Sequence, residues 1–218
     1  MLNLFRTDPV LALVVVVLIV VSLTVHEFGH ALVAMALGDD TARREGRMTL
    51  NPGAHIDIVG FIMLLVVGFG WAKPVRIDTR ALSKPRRDEI LISLAGPAAN
   101  LLLALVFGLL AWLDYALAPS LPRAVAQGAF DILTQAAAIN VGLALFNMLP
   151  IPPLDGSHLV TTWLVKVNVT VAATYFRWGS WILLALLLFQ SLTNITILPI
   201  GRVTIAIVLA FYRLLGMG

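Results

Sequence analysis

The chain of 218 residues contains no cysteine. That excludes a disulfide framework and any thiolate metal site, leaving His, Asp and Glu as the side chains able to hold a metal. Charge is scarce as well. Asp, Glu, Lys and Arg make up 12% of the residues, about half the share usual in a soluble domain. With 60% of the residues hydrophobic, this is the composition of an integral membrane protein. The formal charge of +3 is too small to suggest a nucleic-acid partner and reads as membrane topology. No internal repeat is evident, and a separate soluble domain does not fit in this length. The first 25 residues lack a basic start and a small-x-small cleavage site, so a retained helix is expected there rather than a cleaved signal.

What is present is concentrated at His26-Glu27-Phe28-Gly29-His30, inside an apolar stretch from Val10 to Leu37. Residues four apart share a helix face, so His26 and His30 can offer two imidazole nitrogens to one metal. Glu27 can take the proton of an activated water. The sixteen residues before the motif, Val10 to Val25, carry no charge. An ionisable group at membrane depth costs at least a few kcal/mol, so three within five residues are hard to explain by packing.

Five stretches are expected to cross a bilayer as helices: Val10–Leu37, Ile90–Ala116, Val125–Leu149, Trp178–Leu198 and Ile200–Leu215. A sixth, Ile56–Trp71, falls below spanning length and is loosened by Gly60, Gly68 and Gly70. The segment Gly156–Thr174 fits an interfacial or partly buried amphipathic helix. Arg86-Arg87-Asp88-Glu89 reads as a solvated interfacial cluster. The region Gly38–Glu89 holds nine of the fifteen basic residues and is expected on the cytoplasmic side. The first helix then runs inward, with the histidine motif in its inner half.

Asp155 follows Pro150, Pro152 and Pro153 at the end of an apolar helix, and Gly156 comes next. The prolines stop regular helix and reorient the chain. A carboxylate on such a bend is a candidate third ligand, although Asp-Gly after prolines is also a common turn. Depth agrees with the ligand reading: if Ile56–Trp71 enters without crossing, Asp155 arrives on the same side as His26 and His30. His55 is open between an auxiliary group at the site and a hydrogen-bonded loop histidine. His158 is near Asp155 in sequence, and nothing more specifies it. Asn100 and Asn140 read as interhelical amide contacts.

These motifs resemble, in kind and order, the site-2 protease family of intramembrane zinc metalloproteases. The resemblance rests on His26-Glu27-x-x-His30, then Ala95-Gly96-Pro97-x-x-Asn100, then Asn147-x-x-Pro150-x-Pro152-x-x-Asp155-Gly156, covering residues 26 to 156. It implies one catalytic Zn²⁺ on His26, His30 and Asp155, with Glu27 as general base. It also suggests that Asn147 contacts the substrate backbone or the developing oxyanion. The length is similar to compact members without PDZ-like or other regulatory domains. Asn51-Pro52-x-x-His55-Ile56-Asp57 and Gly70-Trp71-Ala72-Lys73-Pro74 look like features of that subgroup.

The expectation is therefore an all-α integral membrane protein of about five transmembrane helices. A short embedded or re-entrant segment and a possible short β-hairpin near the site would complete it. Residues 1–218 would form one membrane-embedded domain, with a catalytic core of about 10–157 and C-terminal helices over about 158–218. The expected location is a prokaryotic cell membrane, multi-pass, with the site toward the cytoplasm. The expected partners are the lipid bilayer and a transmembrane or membrane-tethered peptide, with no nucleic acid. The alternative is a zinc-binding membrane protein without proteolysis or a metal transporter. A transporter would want ionisable residues along a path across the bilayer, whereas here they cluster at one depth.

Overall fold

The computed structural model describes residues 1–193 and 195–217. Residue 194, inside the expected Trp178–Leu198 span, and residue 218, the end of the expected domain, lie outside the described residues. Nine α-helices follow one another among the described residues. They are α1 (Leu2–Thr7), α2 (Pro9–Ala36), α3 (Thr41–Arg44), α4 (Ile58–Val67), α5 (Pro85–Leu117), α6 (Arg123–Asn147), α7 (Gly156–Val167), α8 (Val169–Thr193) and α9 (Ile200–Leu214). No strand forms among the described residues. The possible β-hairpin comes down to one antiparallel bridge, Ile56 with Ala72.

Helices α2, α5, α6 and α8 are long and apolar enough to cross a membrane. Their outer faces show Leu13, Val17, Leu102, Val106, Trp181 and Ile182 to the surroundings, the reverse of a water-soluble bundle. Helix α9, on the expected fifth span, has 15 residues and is not among those four. Helix α8 starts nine residues earlier than expected, at Val169 instead of Trp178. Asn168 explains the difference: its Oδ1 accepts from the backbone N–H groups of Thr170 and Val171, a cap that opens the helix there. The amphipathic segment is accordingly shorter than Gly156–Thr174 and ends with α7.

Helix α4 is 10 residues long, about 15 Å, half of a bilayer's hydrocarbon thickness. Asp57 caps its start through Gly60 N, and Gly68 ends it with φ +86°, a left-handed conformation natural to glycine. The Ile56–Ala72 bridge and the Lys73 N–H to His55 carbonyl bond of 2.7 Å bring both ends of this segment together. The segment therefore turns back on itself, with its start and end side by side. Buried Asp39 ties the connector down by accepting from Thr41 N and Asp78 N. Buried Arg47 donates to the Ala54 and Lys73 carbonyls.

The site rests on the α2–α5–α6 seam. Gly29 lets α2 approach α5 so closely that a Cβ there would stand 2.8 Å from the Ala95 carbonyl oxygen and 2.9 Å from Ala99 Cβ. On the far side Ala104, Ala111, Val141, Val208 and Tyr212 pack α5, α6 and α9 into one core. Asp88 corrects the solvated reading of Arg86–Glu89. It is 3% exposed, and its Oδ2 accepts from Lys84 N at 2.8 Å, closing the first turn of α5.

Candidate metal centre

Helix α2 carries His26 and His30 four residues apart on one buried face, and their rings meet edge to face at 4.7 Å. The two Nε2 atoms are 3.1 Å apart. Asp155 comes in from the loop after α6, with Oδ2 at 3.1 Å from His26 Nε2 and Oδ1 at 3.4 Å from His30 Nε2. Helix α8 holds that loop in place. Tyr175 Oη donates to the Pro150 carbonyl at 2.8 Å, and Gly179 leaves room for the Pro152 ring. Gly156 turns the chain against the Met148 and Leu149 carbonyls, where no side chain would fit.

Both rings are fixed from behind by α5. His26 Nδ1 lies 2.6 Å from Asn100 Oδ1, and His30 Nδ1 lies 2.7 Å from the Ile92 carbonyl. Asn100 Nδ2 donates to the Ser22 carbonyl and to Asn140 Oδ1, which orients its amide and leaves Oδ1 for His26. Asn140 Nδ2 in turn donates to Ser22 Oγ and the Ala136 carbonyl. Two acceptors on the Nδ1 atoms require protons there, so both Nε2 lone pairs are bare and face Asp155.

This donor set fits a divalent metal such as zinc. Tetrahedral ligands at about 2.0–2.1 Å from zinc stand about 3.3 Å apart, close to the 3.1, 3.1 and 3.4 Å found here. Asp155 Oδ2 is buried, and its approach to His26 is too poorly aligned for a hydrogen bond. The three groups converge on a shared point rather than on one another. Burial pushes the Asp155 carboxyl up, but the two imidazoles beside it outweigh that and hold it well below the usual carboxylate range. Gly96 faces the pair from α5, and a Cβ there would fill the space in front of both Nε2 atoms. His26, His30 and Asp155 form the one such cluster of His, Asp and Glu among the described residues.

The other expected residues are not among the three converging groups. Glu27 is 8% exposed, and its Oε2 accepts from Val75 N at 3.0 Å, which ties the segment after the Ile56–Ala72 bridge to the carboxylate. Asn147 donates one Nδ2 proton back to the Leu143 carbonyl at 3.0 Å, leaving one N–H and Oδ1 uncommitted. His55 is not among the converging atoms; its Nε2 lies 2.8 Å from the Thr49 carbonyl. His158 packs against Phe176 on α8. Sequence reasoning missed three contacts that shape the centre: Asn100 on His26, the Ile92 carbonyl on His30, and Val75 N on Glu27. A signal for the α5 contacts was there, since residues 92, 96 and 100 repeat every four and share one helix face.

Comparison with known proteins gives a consistent result. The sequence profile of peptidase family M50 matches residues 14–117 and 113–189. A Bacillus subtilis (strain 168) protein named "Putative zinc metalloprotease YwhC" is 41% identical over 163 residues, 73% of this chain and 74% of its own length. A Mycolicibacterium smegmatis protein named "Putative zinc metalloprotease Rip2" is 31% identical over 183 residues, 79% of this chain and 66% of its own. A Synechocystis protein, "Putative zinc metalloprotease sll0528", is 26% identical over 201 residues, 89% of this chain and 44% of its own. No solved structure matches the chain.

Proposed function

The chain belongs to peptidase family M50, the site-2 protease family, and from that premise we propose that it is an intramembrane zinc endopeptidase cleaving transmembrane or membrane-tethered peptides. The observation that carries this reading is the convergence of His26 Nε2, His30 Nε2 and the Asp155 carboxylate at the buried seam of long apolar helices. In this reading those three residues hold one zinc ion. Bound zinc would supply Lewis acidity, polarising a peptide carbonyl and lowering the pKa of water toward about 7.

The residues of the chain do the rest. Asn100 and the Ile92 carbonyl keep the two imidazoles in the tautomer that leaves Nε2 free. Glu27 accepts the proton of the attacking water at its carboxylate and returns it to the leaving amine. Val75 N–H holds Oε2 of that carboxylate and leaves Oε1 for the proton. The uncommitted Asn147 N–H would face the substrate backbone or the oxygen on which charge develops. A helical substrate has its amides locked in internal hydrogen bonds, so a segment must unwind before it is cut.

Positive charge orients the reading. With residues 38–89 in the cytoplasm, α2 runs inward, α5 outward and α6 inward, and the Asp155 loop meets the inner end of α2. The site then opens toward the cytoplasmic side of a multi-pass protein in the cell membrane. Residues of about 10–157 act as the catalytic core of a single membrane-embedded unit, and about 158–218 buttress it. The test is a panel of tagged single-span substrates given to purified protein with and without a zinc chelator, alongside Glu27→Gln. Chelator-sensitive cleavage that Glu27→Gln abolishes while keeping its zinc is expected. Near-normal turnover by Glu27→Gln would remove Glu27 from the chemistry.

A further inference from the structure

A small cavity of about 20 Å³ lies between Val20, Leu23 and Thr24 of α2, the start of α4, and the returning segment at Trp71 and Ala72. Its walls are mainly hydrocarbon, with one feature that the fold leaves unresolved. His55, 2% exposed, lines the cavity. Its Nε2 faces the Thr49 carbonyl at 2.8 Å, and a carbonyl only accepts, so the ring proton sits on Nε2. Nδ1 is then a bare acceptor, buried and without any hydrogen-bond partner. No donor of the lining reaches it: the Thr24 hydroxyl is spent on the Val20 carbonyl, the Trp71 indole N–H makes no bond to it, and Asp57 Oδ1 accepts from Gly60 N. Leaving a buried acceptor unpaired is costly, so the position invites a donor from outside the chain.

The cavity adjoins the proposed general base. Leu23 and Thr24 precede Glu27 by four and three residues, on the same side of α2 and about one turn, 5.4 Å, away. The segment that closes the cavity at Ala72 reaches the Glu27 carboxylate three residues later, through Val75 N. An extended peptide advances about 3.3 Å per residue, so the cavity sits one or two residues along from a bond cut beside Glu27. Its volume admits one water-sized group.

We propose that this cavity receives a small hydroxyl-bearing side chain of the unwound substrate, a serine above all, whose O–H donates to His55 Nδ1. The proposal rests on the protease reading given above. Alanine fits the volume but leaves Nδ1 unpaired, and leucine does not fit. The discrimination of serine from alanine should be roughly three- to tenfold, that of one neutral hydrogen bond. Filling the wrong shape should cost more.

The experiment uses the full chain in proteoliposomes. One substrate that is cut in a chelator-sensitive way has its cleavage site located by mass spectrometry. Serine, alanine and leucine are then placed in turn at the two positions on each side of the cut, and kcat/KM is measured. At one position serine should exceed alanine three- to tenfold, and leucine should fall at least tenfold below alanine. His55→Phe keeps the ring shape and removes Nδ1; it should keep its zinc and lose the serine preference. Val20→Leu fills the cavity from α2 without touching His55, so it should erase the same preference if the ring substitution fails to fold. Equal rates for serine and alanine at all four positions overturn the proposal, as does a preference that survives either folded variant. Dissociation constants of the same peptides for Glu27→Gln must show the same order, and equal binding there overturns the pocket even when nothing is cut. Absence of chelator-sensitive cleavage in wild type, with peptide selectivity intact, would instead sink the protease reading.

Discussion

Replacing Gly96 by alanine is the sharpest probe of the proposed zinc centre, because the change is one methyl group on a rigid helix. A Cβ at this position would stand 2.6 Å from both Cε1 and Nε2 of His26, and nearer still to Nε2 of His30. Ordinary carbon–nitrogen contact is about 3.5 Å, so the His26 ring must retreat by about 0.9 Å and the His30 ring by more, or α5 must move away. Zinc ligand distances tolerate only about 0.2 Å. Moving α5 instead would open the Gly29–Ala95 contact and break the Asn100 and Ile92 supports behind the rings. Overpacking of this kind costs about 1–3 kcal/mol, equivalent to a zinc affinity lower by about 5- to 150-fold if it falls on the bound state. Competition against a calibrated chelator measures that affinity directly. The control is Gly142→Ala on α6, where a Cβ would meet Thr204 Oγ1 at an ordinary 3.5 Å; it should bind zinc normally and gain up to about 1 kcal/mol of stability. A folded Gly96→Ala protein with wild-type zinc affinity would mean that the ligand atoms are not where His26 and His30 place them.

Asp155→Ala should lower zinc stoichiometry together with activity, since two imidazoles alone remain; unchanged metal content on elemental analysis would remove Asp155 from the ligand set. Asn100→Leu keeps the side-chain volume but leaves His26 Nδ1–H without an acceptor, so zinc affinity should fall about 10- to 100-fold, read by the same chelator competition. Wild-type affinity in that variant would show that Asn100 serves helix packing alone. Single cysteines at Thr41 and Thr79, introduced into a chain with no native cysteine, should behave alike toward an impermeant thiol reagent in intact cells, both protected. Labelling at Thr79→Cys but not at Thr41→Cys would place the two on opposite sides and break the shared zinc site.

Much of this architecture is local in origin, and that part was legible. Apolar runs of spanning length report their environment residue by residue, and His26 with His30 needs only the four-residue helical repeat. The brevity of Ile56–Trp71 and its glycines announced a segment that returns, which the Ile56–Ala72 bridge bears out. The start of α8 was hidden because His158, Lys166 and Asn168 make residues 156–174 look interfacial; Asn168 is in fact spent as a cap on the backbone. Asp88 looked solvated beside two arginines for the same reason, since a carboxylate that caps a helix carries no local mark that separates it from one in water.

The contacts least legible in the sequence are those made by main chain. The Ile92 carbonyl that fixes His30 and the Val75 N–H that holds Glu27 belong to residues whose side chains say nothing about either task. Asn100 lies between these extremes. An amide in an apolar helix signals an interhelical bond, and the bond it makes to Asn140 is of that kind. The same side chain also spends its oxygen on His26. Helix pairing and the orientation of a proposed metal ligand thus share one residue, and the order of dependence follows from the hydrogen bonds. Asn140 and the Ser22 carbonyl take both amide protons of Asn100, and only because they do is Oδ1 left to face the imidazole. Loss of Asn140 should therefore reach His26 through Asn100, although α6 and the ring do not touch through that residue. The bundle and the proposed zinc centre are in this sense one hydrogen-bonded structure, and a variant that loosens the α5–α6 seam should weaken metal binding before it unfolds the helices.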